Sequence, residues 1–150
     1  MRREIPIKIE GKKEKGNRPA RKGAKISPPA GDERLGKKQA WKPGNMLYPL
    51  PAVLVTVADS KGRDNIITVA WTGTVCTNPP MVYISVRPER HSYHMIEETG
   101  EFAINLTTES LLRAVDYCGV KSGRDVDKFK EMHLTRQRAS EISAPLLGES

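Results

Sequence analysis

The chain has 150 residues, 37% hydrophobic and only 5% aromatic, enough for one domain with its own core and too few for two comfortable ones. Its formal net charge of +7 is uneven, since residues 1–42 hold 14 Lys and Arg against 5 Asp and Glu, and the remainder hold 11 against 13. Cys76 and Cys118 are too few for a disulfide framework or a zinc site, and no apolar run reaches bilayer length or forms a secretory leader, so a cytoplasmic protein with no membrane partner is expected.

Residues 1–40 read as a basic, disordered tail. Lys, Arg, Gly and Pro dominate, and neither helical nor strand periodicity persists. Such a run can hold nucleic acid through counterion release, but charge runs are more often simply solvated. This one has no aromatic side chain to stack a base, which argues against nucleic acid as a partner.

From Trp41 the character changes, and residues 41–150 are expected to fold. Pro49 and Pro51 lead into the apolar, β-branched run Ala52–Ala58, which ends at the turn Asp59-Ser60-Lys61-Gly62. Asn65–Thr72 follows as a second strand, so the two predict a hairpin. A loop containing Asn78-Pro79-Pro80 leads to a third strand, Met81–Arg87. Ser92 then predicts an N-cap for a short helix through Glu98, stopped by Gly100. Phe102–Leu106 is a fourth strand. Thr108 can cap a second helix with Leu111, Leu112 and Val115 on one face, and Arg124–Met132 predicts a third. Strands outnumber helices and come early, so the expected fold is mainly β with short helices: a small barrel with helices outside it.

Three segments carry the chemistry. Thr68–Thr74 is small and hydroxylated at a strand end, where free backbone donors beside an apolar wall suit a flat polar ring such as an isoalloxazine. The ordinary alternative is a strand relaxing into a Gly turn. Ser85–Tyr93 runs from a strand through a tight turn into a helix start. The first N–H groups of that helix, its dipole, and Arg87 and Arg90 together suit a phosphate. Surface pairing of the arginines with Glu89, Glu97 or Glu98 would account for them equally well. Tyr117–Arg124 is Gly- and Ser-rich with two cations and can fold over an anion, but by itself it reads as a helix end and linker. His91, His94 and His133 have no further ligands at metal spacing, so no metal site is expected. Cys76 and Cys118 read as small apolar fillers. With no catalytic triad or carboxylate pair in the spacing, enzyme chemistry has to come from a cofactor.

The string Trp41–Pro51 followed by Ala52–Asp59 resembles the opening of flavin reductase-like proteins, the flavoredoxin branch in particular. Asn65–Leu106 is similar as well, with Asn-Ile-Ile-Thr-Val-Ala-Trp, Asn-Pro-Pro, Arg-Pro-Glu-Arg and Gly-Glu-Phe-Ala-Ile-Asn-Leu in order, and Tyr117–Phe129 continues the match. The resemblance implies an FMN-binding Greek-key split β-barrel that forms a homodimer, with NAD(P)H as electron donor and electrons passing to flavin or to an electron-transfer protein. It places Thr68, Ala70, Trp71 and Thr72 along the flavin ring, and Ser85, Val86 and Arg87 on the ribityl and phosphate side. Ser92 and Tyr93 fall at the phosphate end, with Asn105 a further flavin contact. Residues 1–36 have no counterpart in the family. At Ser150 the family sequence would continue into further strands, so the domain is expected to be incomplete at its C-terminal end, leaving Val53, Val55 and Ile84 uncovered.

Overall fold

The run Val53–Ala58 is β-branched and apolar at nearly every position, and it forms the central strand β1 of a three-stranded antiparallel sheet. The structure is a computed structural model that describes residues 39–45, 47 and 49–150, so the tail expected over residues 1–40 lies outside the described residues save for Gln39 and Ala40. All elements fall within Leu47–Ser150. All six residues of β1 are buried because both faces of the sheet are covered. Asp64–Val69 (β2) pairs with β1 from Val53 opposite Val69 to Ala58 opposite Asp64. The hairpin between them turns at Gly62, whose φ of 75° an L side chain rarely adopts. Asp59 fixes this turn by accepting from the Lys61 and Arg63 amides at 3.0 and 2.9 Å.

Alternation along β1 divides the core in two. Val53, Val55 and Val57 face one side, with Ile67 and Val69, and meet Met95 of the helix His91–Thr99 (α1). Leu54 faces the other side with Ile66. They pack on Leu111, Ala114, Cys118, Phe129 and Leu147, drawn from a 3-10 turn and the helix after it, Leu112–Val120 (α2), from the helix Lys128–Glu131 (α3) and from the last residues of the chain. Burying each such aliphatic side chain contributes about 1.5–3 kcal/mol. Val53 and Val55, expected to be uncovered, are therefore 5% and 0% exposed, and Ile84 is half-buried against the same cluster. Met95, Ile96, Phe102 and Ile104 supply the cover.

The other edge of the sheet is Ala103–Asn105 (β5), antiparallel to β1. Thr72–Thr77 (β3) and Pro80–Ile84 (β4) form a separate hairpin, and Arg136–Gln137 (β6) pairs with Leu146–Leu147 (β7). The architecture is mainly β with short helices; among the described residues the strands form three sheets and close no barrel. Four local expectations are corrected. The second strand, expected to run through Thr72 and on into a loop, ends at Val69, and Thr72–Thr77 forms a strand of its own by cross-strand pairing to β4. Ser92 is not a cap: α1 starts at His91 after Arg90, and Ser92 lies buried in the first turn. The expected helix Arg124–Met132 shrinks to four residues. Ser122 holds residues 124–126 in a turn, and Asp127 caps the helix by accepting from the Lys130 amide at 3.2 Å. Finally, Leu112 points outward at 70% exposed, while Leu111 of the preceding 3-10 turn is buried. Among the described residues no helix is long and apolar enough to cross a membrane.

The chain end is tied down by side chains. Arg136 donates to both carboxylate oxygens of Asp64 at 2.7 and 3.0 Å and to Asp127 at 3.0 Å, and its guanidinium lies 4.2 Å from the centre of the Phe129 ring. Asn105 donates to the Leu54 carbonyl and the Thr56 hydroxyl and accepts from the Leu147 amide at 2.9 Å. Its amide thus locks β7 onto the sheet.

Candidate functional site

Two neighbourhoods gather the polar and cationic groups singled out in the sequence. At the first, β2 ends and the chain bends through Ala70 and Trp71 into β3. Trp71 accepts from the Ser85 amide at 2.8 Å, and the Thr72 hydroxyl donates to the Tyr83 carbonyl at 2.8 Å. Ala70–Thr72 and Ser85 therefore lie side by side, although more than ten residues separate them in sequence. Ala70, Trp71 and Ser85 are exposed and Thr72 is buried, so this strand end presents backbone and a half-open indole to solvent.

The second neighbourhood is a cleft of about 220 Å³ at the edge of β2. Asn65 and Ile67 of β2 form its floor, Arg90, His91 and Ser92 at the start of α1 form one wall, and Lys121–Arg124 after α2 form the other, with Lys128 behind. It opens into a wider groove of about 840 Å³ that shares Asn65, His91, Gly123, Arg124 and Lys128. α1 is long enough to present a real N-terminus, with first-turn N–H groups that favour negative charge. No acidic residue occupies its first turn.

Buried pairs brace this cleft. The Asn65 side chain donates to the Ser92 hydroxyl at 2.8 Å, and both residues are buried. Lys128 is also buried, and its ammonium donates to the Ile66 carbonyl at 2.8 Å and the Cys118 carbonyl at 2.9 Å. β2 is an edge strand, so its outward carbonyls need a partner other than a neighbouring strand; Lys128 supplies one. Burial lowers the Lys128 pKa, with the Arg90 charge adding to the effect and Cys118 opposing it. Burial pushes the Cys118 thiol up to about 11, against the pull of Lys128. Burial, then the positive charges of Arg124, Arg63 and Lys128, lower the His91 pKa, with Asp59 acting in opposition. Arg90, Lys121, Arg124 and Lys128 line the cleft against one carboxylate, Glu89, and four cations beside a helix start are suited to holding a phosphate-sized anion.

The predicted site residues divide between these places. Ala70, Trp71, Thr72 and Ser85 meet at the strand end. Ser92 lies in the cleft. Arg87 is exposed, and its carbonyl accepts from the Arg90 amide at 3.0 Å in the turn before α1. Val86 packs against the α1-side core, and Tyr93 sits edge-on to His94 with ring centres 5.4 Å apart. Thr68 turns towards α2 and donates to the Val115 carbonyl at 2.5 Å, while Asn105 is committed to β1 and β7 as described. The loop Lys121–Arg124, read in the sequence as a linker, faces Arg90 across the cleft. Asn65, His91 and Lys128 were not singled out for it. Two cations in a Gly- and Ser-rich loop was the available signal; the burial of Lys128 had none.

Comparison with known proteins fits this arrangement. The structure of flavoredoxin from Desulfovibrio vulgaris (Miyazaki F) superposes with a TM-score of 0.69 at 34% identity, covering 75% of this chain and 62% of that one. An FMN-binding domain of a flavin reductases-like enzyme from Shewanella baltica gives a TM-score of 0.61 at 25% identity, covering 65% and 51%. An uncharacterised protein of Aeropyrum pernix is 33% identical over 106 residues, 70% of this chain and 40% of that protein. The chain spans 40%, 57% and 53% of the lengths of three curated relatives it matches. The family model described as "Flavin reductase like domain" matches residues 45–150, every element of the fold included, and the chain belongs to that family.

Proposed function

We propose that this chain is part of an FMN-binding split-barrel oxidoreductase that passes electrons between NAD(P)H and flavin, or on to an electron-transfer protein. One observation carries the reading: the cleft between α1 and the loop after α2 brings Arg90, Lys121, Arg124 and Lys128 around a helix start. That set of donors matches a phosphate monoester. Ala70, Trp71 and Thr72 would hold the ring and Ser85 and Val86 the ribityl chain, in keeping with the resemblance. Bound FMN would supply the redox chemistry. The chain's own contribution is orientation: backbone groups at the β2 end meet the ring, and the cationic cleft fixes the far end of the ligand. Two free thiols suit a reducing, cytoplasmic setting.

Titrating the chain with FMN and with riboflavin tests this reading. Each charge-assisted phosphate contact contributes about 1.5–3 kcal/mol, so FMN should bind more tightly than riboflavin by about tenfold or more. Equal affinities would remove the phosphate assignment. Oxidation of NADH or NADPH with added FMN then tests the donor.

The proposal extends to a homodimer. The β3–β4 hairpin exposes Val75, Met81, Val82 and Tyr83, with Trp71 at its base. A patch of this kind is suited to a second copy. Sedimentation across a range of concentrations should show dimers, and a monomer throughout would overturn this.

A further inference from the structure

We propose that residues 135–150 form an acid-released latch: a strap pinned at Arg136 and Ser143 by carboxylates of other elements, which detaches as those carboxylates are protonated while the sheet β2–β1–β5 stays paired.

The strap has little of its own to hold it. Only Ala144 and Leu147 of its sixteen residues are buried, and its one strand pairing, β6 with β7, is two residues long. So little apolar burial does not offset the entropy lost in ordering such a segment, and polar ties supply the rest. The strongest of them end on carboxylates. Arg136 donates to Asp64 on β2 at 2.7 and 3.0 Å, and to Asp127 at the start of α3 at 3.0 Å. The Ser143 amide and hydroxyl donate to Glu101, between α1 and β5, at 2.9 and 2.6 Å. Glu149 closes the strap on itself by accepting from the Thr135 amide at 2.9 Å. Three neutral contacts complete the set: the Thr56 hydroxyl with the Pro145 carbonyl, Asn105 with the Leu147 amide, and the Ser150 hydroxyl with the Leu106 carbonyl. β1, by contrast, is bonded on both edges through backbone groups, which do not titrate.

The pinning carboxylates lose their charge in a defined direction. Hydrogen bonds from the Ser143 hydroxyl and amide hold Glu101 below the usual carboxylate range, against burial. Burial also opposes the charge on Asp127 and Glu149, but the Lys130 amide and Arg136 outweigh it at the first, and the Thr135 bonds at the second. A carboxylate held low in this way stabilises the fold at neutral pH, and its contribution is lost as the pH falls through the lowered value. The neighbouring charges do not replace these ties. Arg63 is paired with Asp59, and Glu98 accepts from Ser60. Arg124, Asp125 and Lys128 share the wide groove with Arg136, as do His91 and His94 of α1, and none of them bonds to the strap. Arg138 and Glu141 line the surface beside Glu101 without a bonded partner among the described residues. As the carboxylates are neutralised, the cations around Arg136 face it with less to offset them.

Hydrogen exchange of the full chain, read amide by amide and corrected for the intrinsic pH dependence of exchange, tests this between about pH 7 and about pH 3. The diagnostic amide is Leu147, because its acceptor, Asn105, does not titrate. Its protection should fall by about tenfold or more relative to the β1 amides. Equal losses would mean that the strap opens only with the whole fold, and would overturn the inference. Loss at Ser143 with Leu147 unchanged would mean one broken bond and no latch, and would overturn it as well. Neutral replacements assign the cause. Glu101→Gln combined with Asp127→Asn, which keeps a helix-capping side chain, should loosen Leu147 already at neutral pH and flatten its pH dependence. Glu141→Gln removes a carboxylate that holds nothing and should change neither. A full pH dependence surviving in the double variant overturns the inference. Should the double variant not fold, the unaltered chain's comparison of Leu147 with β1 decides.

Discussion

Replacing Phe129 with alanine should destabilise the chain by about 3–5 kcal/mol, the range for truncating a buried aromatic ring. Phe129 is 1% exposed and packs with Leu54, Ile66, Ala114, Cys118 and Leu147. It belongs to α3, which has four residues and cannot persist without tertiary anchoring. The ring is that anchor, and it carries Lys128 beside it. Arg136 rests on the same ring while pairing with Asp64 and Asp127, so the variant also loosens the tie between the chain end and β2. A loss of this size takes a large part of a typical domain stability of about 5–15 kcal/mol. Urea unfolding should show a lower midpoint at unchanged slope. Leu112→Ala is the control: Leu112 is 70% exposed on α2 and its truncation should stay within about 0.5 kcal/mol. If both variants shift the midpoint equally, Phe129 does not organise this side of the core.

The first hairpin was legible because its chemistry is local. β-branched runs flank a turn whose Gly62 adopts a positive φ, and each signal points to the same pairing. Gly100, with φ of 69° at the end of α1, was legible for the same reason. β3 was missed although its threonines and Val75 favour a strand, because Gly73 read as a turn; its order comes from pairing with Tyr83, Val82 and their neighbours on β4. At the candidate site the sequence marked Arg90 and Ser92 through their place before a helix, but gave Ser92 a capping role that the fold does not give it. Its hydroxyl meets Asn65, 27 residues away on β2, and no spacing rule foretells that contact. Lys128 was hidden more deeply. In sequence it is one of several surface-like charges in Arg-Asp-Val-Asp-Lys-Phe-Lys-Glu, and it is buried only because Phe129 draws the short helix against an edge strand whose carbonyl lacks a strand partner. The loop Lys121–Arg124 stood between these extremes, since its composition suited an anion while its position allowed a linker. The fold sets it opposite Arg90 across one cleft.

Gly123→Ala should damage both stability and phosphate recognition, although one methyl group is all that is added. A Cβ at Gly123 would overlap the side-chain amide of Asn65. That amide has little room to move: Asn65 is buried, held on β2 opposite Val57, and bonded to the buried Ser92. Either Asn65 gives up Ser92, leaving a buried group without a partner at about 1–3 kcal/mol, or the loop backs away from β2 at a comparable overpacking cost of about 1–3 kcal/mol. Backing away also carries Arg124 off the cleft, so FMN affinity should fall while riboflavin affinity holds. Gly62→Ala separates this from a general intolerance of loop glycines. At Gly62 the space is open and only the positive φ resists a side chain, a cost of about 1–2 kcal/mol with no effect on flavin. Adding Asn65→Ala to Gly123→Ala supplies the decisive comparison. With the amide gone the new methyl fits, so the double variant should be more stable than the sum of the single losses predicts. Urea unfolding of the four chains measures that coupling, and FMN titration follows it at the site. Strictly additive losses would show that the loop and Asn65 do not press on one another, and that the cleft wall is held by other contacts.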